Sequence, residues 1–478
     1  IGAEIRKNRS ENSSLKAAGF YDDALNFIGH ATGYPTDSKN KPSGNQDLST
    51  EVGFFANANY MYNNRYYADF VYRLSGSSKF GSNQRYGQFW SGGLGWNLHN
   101  ENFLKFEKLN LLKIRGSVGY TGKVNFEPFQ SITMYKYENT LEYLHGIGAI
   151  PQTIGNDDLK WEREFSYNIG ADISLFDRRL NATLDFYLKR TKDLVLDASI
   201  APSTGVVSGK QNIGEMENKG FEFSVDGFII QRNDVWWQLG MNGSTNKNRI
   251  LKISNALKRQ NELNNDVAPT RQTPAPLAQY EEGESTSALK VVRSAGIDPA
   301  TGREVFIKLD GTRTFTYSAD DKVVVGDTDP RFYGNVYTNV FYKGFSLYIM
   351  GSFKCGGYLY NVTRASRVEG TTGRTNVDRR AFDSRWKEVG DIALYRNITE
   401  HSVPQQTDRF VEKENVLTIT SVNLGYEFPQ RICQKMMLRN LRLGVNLSDI
   451  LRFSNVKVER GLDYLYGNGF EFTLSTTF

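Results

Sequence analysis

The chain contains 478 residues, and none of its apolar runs approaches the roughly 20 residues that a membrane-spanning helix needs. Its mean hydropathy is −0.50 and its net charge of +5 is spread along the chain, so the composition excludes a helical membrane protein and offers no basic patch for nucleic acid. Phe, Tyr and Gly are abundant, with 30, 26 and 44 residues, and this composition suits a membrane β-barrel, in which only every second strand residue faces lipid.

The first residues, 1–7, alternate apolar and polar side chains and predict the end of a strand. Because the chain starts at Ile1 rather than at Met and shows no signal segment, we interpret it as a portion of a longer precursor. A long polar segment follows, and about thirteen further strands are then predicted in series. They cover about 52–62, 66–74, 86–98, 109–121, 165–175, 180–190, 220–231, 236–246, 332–342, 345–353, 416–428, 438–448 and 467–478.

The last of these strands, 467–478, has one apolar and one polar face. Phe470, Phe472, Leu474 and Phe478 share the apolar parity, and the polar residues between them fall on the other. An outer-membrane barrel pairs its last strand with its first and places aromatic residues at the membrane interface, so we predict that this strand closes a barrel. A terminal edge strand packed on a soluble core is the alternative that these residues alone leave open.

The connections between the predicted strands alternate in length along the chain. Tight turns are predicted at 63–64, 177–178 and 343–344. A soluble β-sandwich has no reason to sort its loops by end, whereas an outer-membrane barrel has tight periplasmic turns and long extracellular loops. The long extracellular connections are predicted at about 9–50, 122–163, 191–219, 249–331, 356–415 and 449–466.

Several stretches resemble a known family, in the family's order. They include Y-N-N-R-Y-Y-A-D-F-V-Y-R-L-S-G-S-S-K-F-G (62–81), L-N-L-L-K-I-R-G-S-V-G-Y-T-G (109–122), N-D-D-L-K-W-E-R-E-F-S-Y-N-I-G (156–170), V-V-G-D-T-D-P-R-F (324–332) and D-R-F-V-E-K-E-N-V-L (408–417). In these stretches the chain resembles the C-terminal barrel portion of SusC/RagA-type TonB-dependent transporters of Bacteroidetes outer membranes. The resemblance implies an all-β fold, a transmembrane antiparallel β-barrel of about 22 strands, of which the C-terminal strands, about 13–14, lie in this chain and the plug domain does not.

The resemblance also implies a function and partners. The function is active import of oligosaccharides or oligopeptides across the outer membrane, energised through TonB, together with a SusD-like surface lipoprotein that caps the long loops. The TonB complex would be reached through a segment N-terminal to this chain, and the barrel wall would contact outer-membrane lipid. No enzymatic activity, cofactor or nucleic acid goes with this interpretation, and a dimer of transporter–lipoprotein pairs stays open. The alternatives are a plugless or structural outer-membrane barrel in secretion or assembly, and a soluble all-β binding protein.

Substrate-binding residues are predicted among tyrosines in or beside the long connections, because function concentrates in loops and aromatic faces suit sugar rings and peptide side chains. These residues are Tyr135, Tyr137, Tyr143, Tyr280, Tyr358, Tyr360 and Tyr395. Tyr358 and Tyr360 could equally extend the aromatic girdle of the barrel.

The sequence predicts no catalytic centre and no metal site. The acidic run at Asp310, Asp320 and Asp321 is a sparser version of a calcium-like loop of relatives, and it is too sparse for the six or seven oxygen ligands that Ca²⁺ takes. Cys355 and Cys433 lack metal-site spacing and allow one disulfide or none.

Overall fold

The computed structural model describes residues 1–24, 26–34, 42–143, 146–200, 203, 205–206, 208–267, 274–371, 377–400, 402–457 and 467–477. The strands are β1 (Gly2–Ser14), β2 (Ser43–Tyr62), β3 (Tyr66–Ser77), β4 (Tyr86–Asn97), β5 (Leu109–Lys123), β6 (Met134–Tyr143), β7 (Gly146–Thr153), β8 (Glu162–Leu175), β9 (Leu180–Ser199), β10 (Ser208–Arg232), β11 (Val235–Lys252), β12 (Ala288–Ile297), β13 (Glu304–Ile307), β14 (Arg313–Thr314), β15 (Lys322–Asp327), β16 (Phe332–Tyr342), β17 (Phe345–Tyr360), β18 (Val411–Glu427), β19 (Asn440–Ser454) and β20 (Gly469–Thr477). The helices are α1 (Asn255–Val267), α2 (Arg380–Asp383) and α3 (Gln430–Lys435), with short helical turns at Ile28–His30, Leu98–Asn100, Asn102–Leu104, Ala319–Asp321, Arg364–Glu369 and Asp408–Phe410.

Fourteen of these strands form one antiparallel sheet in which each strand pairs with the next member along the chain. The order is β1-β2-β3-β4-β5-β8-β9-β10-β11-β16-β17-β18-β19-β20. The prediction of an opening fragment followed by about thirteen strands is confirmed. The remaining strands lie within the long connections, as the hairpin β6–β7 and as a small sheet of order β14-β13-β12-β15.

One face of the large sheet is apolar from β1 to β20. The register keeps apolar positions together on that face, as where Ile169 of β8 lies opposite Phe186 of β9. Leu94, Ile169 and Phe472 are 70%, 65% and 80% exposed on it. Soluble monomers rarely expose a contiguous apolar surface of this size, whereas the outer face of a membrane β-barrel does so because it contacts lipid.

The opposite face of the large sheet is polar and cross-linked by charges. Arg115 of β5 lies 3.2 Å from Asp172 of β8 and 2.6 Å from Asp185 of β9. Farther along the same face, Asp226 of β10 accepts a hydrogen bond of 3.2 Å from the side-chain amide of Asn181. Polar groups therefore satisfy one another across neighbouring strands, as in a barrel interior that holds water or a polar plug.

The strands run farther into the predicted long connections than the sequence indicates. β9 ends at Ser199 and β10 begins at Ser208, so the connection predicted at 191–219 shrinks to 200–207. Likewise β1 and β2 remain paired as far as Ser14 and Ser43, so the connection predicted at 9–50 is shortened to 15–42. The physical reason is that apolar and polar side chains alternate only in the part of a strand that contacts lipid. Backbone pairing does not need that alternation, and it continues in the polar residues outside the membrane.

The tight turns form where they are predicted. Asn63 and Asn64 both have positive φ, 51° and 54°, and Lys343 and Gly344 have φ of 45° and 92°. Tight hairpin turns favour such left-handed backbone because it matches the twist of the paired strands, and Asn and Gly adopt it most easily. These turns lie at one end of the large sheet, and the longest connections leave from the other.

The last described strand, β20, pairs with β19, and Phe470, Phe472 and Leu474 point from its apolar face, 68%, 80% and 66% exposed. Phe478 lies outside the described residues. Within the described chain β1 and β20 are the two edges of the sheet and are not paired with each other, so closure by β20 stays a prediction. In the same residues, no helix is long and apolar enough to cross a bilayer.

Candidate functional site

The two longest connections, 253–331 and 361–410, fold together at one end of the large sheet. The described residues of both are called the loop unit here. β12 is its central strand, pairing with β13 and β15, and Val292 of β12 also forms a parallel bridge with Thr407 of the second connection. The Val292 amide donates to the carbonyl of Gln406 at 3.0 Å. Backbone pairing therefore joins two segments that are distant in sequence.

The loop unit has its own apolar core. Leu289 and Val291 of β12 pack with Ala365 and Phe410 and with Tyr360, the last residue of β17, and all five are buried. The rings of Tyr360 and Phe410 meet edge to face with centroids 5.9 Å apart. A compact core predicts that the two connections move as one body rather than as separate flexible loops.

A buried ion cluster lies beside this core. It consists of Glu304, Glu369, Arg396 and Arg409. Arg409 lies 3.2 Å from Glu304 and also contacts Glu369, while Arg396 lies 2.7 Å from Glu369. Burial raises the pKa of Glu304, and Arg409 opposes that rise. Because the two carboxylates are each held by a guanidinium, the cluster is satisfied only while both connections keep their relative position.

A third arginine, Arg385, binds the backbone of the second connection. Its guanidinium donates to the carbonyls of Ala381, Arg396, Val368 and Glu369 at 2.7–3.0 Å. It thereby satisfies carbonyl groups that the irregular backbone would otherwise bury without partners.

Two of the tyrosines predicted to bind substrate are presented to solvent together. Tyr135 and Tyr137 share one face of β6 and are 65% and 70% exposed. Tyr143 lies on the same strand, but its side chain is outside the described residues. The hairpin β6–β7 therefore presents neighbouring aromatic rings at the long-connection end.

The other predicted tyrosines are placed differently. Tyr360 and Tyr395 are only 6% and 3% exposed, since they fill the two apolar clusters of the long connections, and their contact with substrate stays a prediction. Tyr358 packs over Gly326 of β15, where an added Cβ would lie 2.4 Å from its ring. Tyr280 is half-buried, and its backbone exchanges hydrogen bonds with the side chain of Asn261 in α1.

A polar recess of about 530 Å³ adjoins the residues that follow the β6–β7 hairpin. Asn156, Asp158, Lys160, Lys210 and Asn212 line it. The Asn212 amide already donates to the carbonyl of Lys160 at 2.7 Å, which fixes its orientation. Amide and charged groups of this kind form a surface suited to sugar hydroxyls or peptide groups.

In the acidic run before β15, Asp310 and Asp321 accept hydrogen bonds from groups of the same loop. Asp310 accepts from the amide and hydroxyl of Thr312 at 2.8 and 2.7 Å, and Asp321 accepts from the amide of Leu309 at 3.1 Å. Across the described ranges, no three His, Cys, Asp or Glu side chains are arranged to hold a metal ion. Cys355 and Cys433 are both free cysteines.

The sequence does not predict the ion cluster, because its members have no local spacing. Arg409 and Phe410 both lie in the stretch 408–417 that carries the family resemblance, and this stretch was the available signal. Glu304, the partner of Arg409, lies in another connection, where nothing in the local pattern marks it.

Comparisons with known proteins identify the family of this chain and the same barrel fold. Residues 6–446 match the family model described as TonB dependent receptor-like, beta-barrel. TonB-dependent receptor P3 of Formosa agariphila is 27% identical over 95% of this chain and 46% of its own length. TonB-dependent receptor SusC of Bacteroides thetaiotaomicron is 35% identical over 43% of this chain and 21% of its own length.

Among solved structures, the RagAB peptide transporter aligns with a TM-score of 0.80 and 23% identity, over 95% of this chain and 49% of that one. The chain spans about half the length of the first curated relatives that it matches, 46% and 47%. These relatives confirm the resemblance to SusC- and RagA-type proteins and the barrel fold, and they are transporters or receptors rather than enzymes. The chain belongs to the TonB-dependent receptor β-barrel family, whose members are integral proteins of the outer membrane.

Proposed function

We propose that this chain is the barrel part of a TonB-energised importer that carries oligosaccharides or oligopeptides across the outer membrane. The observation that supports this most is the division of one fourteen-stranded wall into an apolar face and a charged, cross-linked face. Such a wall lines a wide polar lumen. A plug is needed to close that lumen, and an energy source is needed to move the plug for selected substrates. The plug and the TonB-contacting segment belong to the same proposal, N-terminal to this chain.

In this proposal the long-connection end of the sheet faces the outside. The loop unit, with its own core and its ion cluster, is the rigid rim on which a SusD-like surface lipoprotein docks. Tyr135 and Tyr137, with the polar recess nearby, form part of the vestibule that receives substrate. Aromatic faces provide contact area at low entropic cost, and the neighbouring amides provide orientation.

The test begins with the native protein extracted in detergent from outer membranes. Mass spectrometry then identifies the complete polypeptide that contains this chain and everything that co-purifies with it, and the native mass gives the number of transporter–lipoprotein pairs. A plug-bearing polypeptide together with a surface lipoprotein is expected. A barrel without plug or lipoprotein would refute the importer and favour a structural barrel in secretion or assembly.

The substrate class is tested on the same complex. Panels of defined oligopeptides and oligosaccharides are incubated with it, and bound components are identified by mass spectrometry after gel filtration. We expect retention from one panel and not from the other. Uptake of that component by cells that carry the gene, and its loss when TonB is deleted, completes the test.

A further inference from the structure

A continuous row of phenylalanine rings crosses the apolar face of the sheet. The rings of Phe186 and Phe221 have centroids 4.6 Å apart, those of Phe223 and Phe332 6.0 Å, and those of Phe332 and Phe353 5.0 Å. These five residues are called the Phe belt. Aromatic rows on the lipid face of a barrel mark the level at which hydrocarbon gives way to headgroups.

Basic residues stand immediately beyond the Phe belt, toward the long connections. Lys219 of β10 is two residues from Phe221 on the same face, and the register sets it directly opposite Lys247 of β11. Both side chains are exposed. Like charges in directly opposed positions destabilise a strand pair, because their Cβ atoms lie only about 4.5–5.5 Å apart.

Two arginines complete this group. Arg249 is the next apolar-face position of β11 after Lys247, and Arg331 immediately precedes Phe332 of the belt. Lys219, Lys247, Arg249 and Arg331 are called the basic cluster, and all four line one recess of about 630 Å³. Within the described parts of the chain, no carboxylate lies within ion-pair distance of any of the four.

Three carboxylates also line the recess and reduce its net charge. Glu217 lies opposite Arg249 in the register, and Asp329 lies on the facing loop. Asp327 accepts hydrogen bonds from the hydroxyl of Ser287 at 2.6 Å and from the amide of Asp329 at 3.0 Å, so its charge is already engaged. Among the residues that the structure describes, Lys219 and Lys247 then remain as cationic side chains with no hydrogen-bond acceptor and no ion-pair partner.

We propose that the basic cluster binds the phosphate of a lipid headgroup in the outer leaflet. The position of the cluster suits a headgroup, because Lys219 and Lys247 lie on the lipid face, in the pair of positions next to the Phe belt on the side of the long connections. The chemistry fits, because opposed ammonium groups and nearby guanidinium groups supply several donors to one phosphate, and an anion there removes the repulsion between the lysines. The inference relies on the proposed function only for placing the long-connection end outside.

The experiment uses the complete native protein in detergent, titrated with lipid A that carries two phosphates and with lipid A that carries one, with bound lipid counted by native mass spectrometry. The double variant Lys219→Gln/Lys247→Gln is expected to bind the two-phosphate lipid about 30-fold more weakly, given the usual contribution of each basic residue at an anionic surface. The matched control is Lys113→Gln/Lys189→Gln, which removes two lysines of the polar face, and its binding is expected to stay within about twofold of the native protein.

Two outcomes overturn the proposal. One is a double variant that binds lipid A as well as the control does, while both keep the heat-resistant mobility of a folded barrel in gels. The other is displacement of the lipid by inorganic phosphate at equal concentration, since that would assign the cluster to soluble phosphate. Neither outcome involves substrate, lipoprotein or TonB, so failure here is separate from failure of the importer. Labelling of Ser285→Cys at the recess from outside intact cells checks the orientation independently.

Discussion

Arg409 lies 3.2 Å from Glu304, and the same guanidinium contacts Glu369, so one side chain joins the two longest connections of the chain. The cluster is buried and lies next to the core formed around Phe410. Removing one member of such a group leaves an uncompensated charge in a place that water does not reach. The loop unit is therefore expected to open as a whole when this contact is removed.

Arg409→Met tests this dependence. It leaves Glu304 and Glu369 without their shared partner, and we expect the loop unit to lose about 3–5 kcal/mol of stability while the barrel stays folded. Hydrogen exchange of the β12 amides measures the loss, because they open only when the unit opens. The matched control is Arg313→Met on exposed β14, which is expected to change exchange by less than about 0.5 kcal/mol. Unchanged protection in Arg409→Met would show that the apolar core alone holds the unit.

Lys322 gives the loop unit a defined pH dependence. Burial lowers the pKa of Lys322 from 10.5 to about 8. A folded-state pKa below the unfolded one means that the native state binds fewer protons, so stability rises with pH between about 8 and 10.5 and is lost as pH falls through about 8. The slope is at most about 1.4 kcal/mol per pH unit, and solvent screening of this half-buried group reduces it.

Lys322→Met should remove that slope and stabilise the loop unit at pH 7. Hydrogen exchange of β12 and β15, corrected for the intrinsic pH dependence of exchange, measures both effects. Lys308→Met, at an exposed position near β13, is the control and should leave the slope in place. Equal slopes in the native protein and in Lys322→Met would mean that another group causes the pH dependence.

Adjacent positions on β18 test which face meets lipid. Val422 lies opposite Ile349 on the apolar face, and Asn423 lies opposite Tyr348 on the polar face. Val422→Arg should destabilise the barrel by about 2–4 kcal/mol, because a charge near the bilayer midplane is costly. Asn423→Arg, one residue away, should cost less than about 1 kcal/mol in a watery interior. Urea unfolding in lipid vesicles measures the free energy of unfolding of both variants, and an equal loss of stability in the two would contradict the assignment of the faces.

Tyr135 and Tyr137 test the proposed vestibule. Their joint replacement by Ala should weaken binding of the retained panel component roughly tenfold, since aromatic contacts contribute about 0.5–1.5 kcal/mol each. Calorimetry on the purified complex measures the change. Tyr21→Ala, which removes an exposed ring from another connection, is the control. Binding that is equally weak in both variants would point to a general effect on the complex.

The sequence predicts the wall of this protein well and the loop unit poorly, for one physical reason. Ile169, Phe186 and Phe472 face lipid because of their own parity along a strand, and this information is local. Tyr360 and Tyr395 are buried because of residues far away in the chain, and so their position in long connections suggested exposure where the structure shows a core. The Val291-Val292 pair of β12 was the readable sign that a connection contained a buried strand.

The length of β10 has a further consequence. Its 25 residues, at about 3.3 Å each, extend about 80 Å, whereas the apolar band of a barrel is only about 25 Å tall. Even when tilted, a large part of β10 and its partners rises past the bilayer as a pleated wall. With that end outside, an antibody or a phage fibre that reaches the cell would meet a rigid ladder of paired strands. Epitopes there would consist of residues from neighbouring strands and would vanish when the protein is denatured.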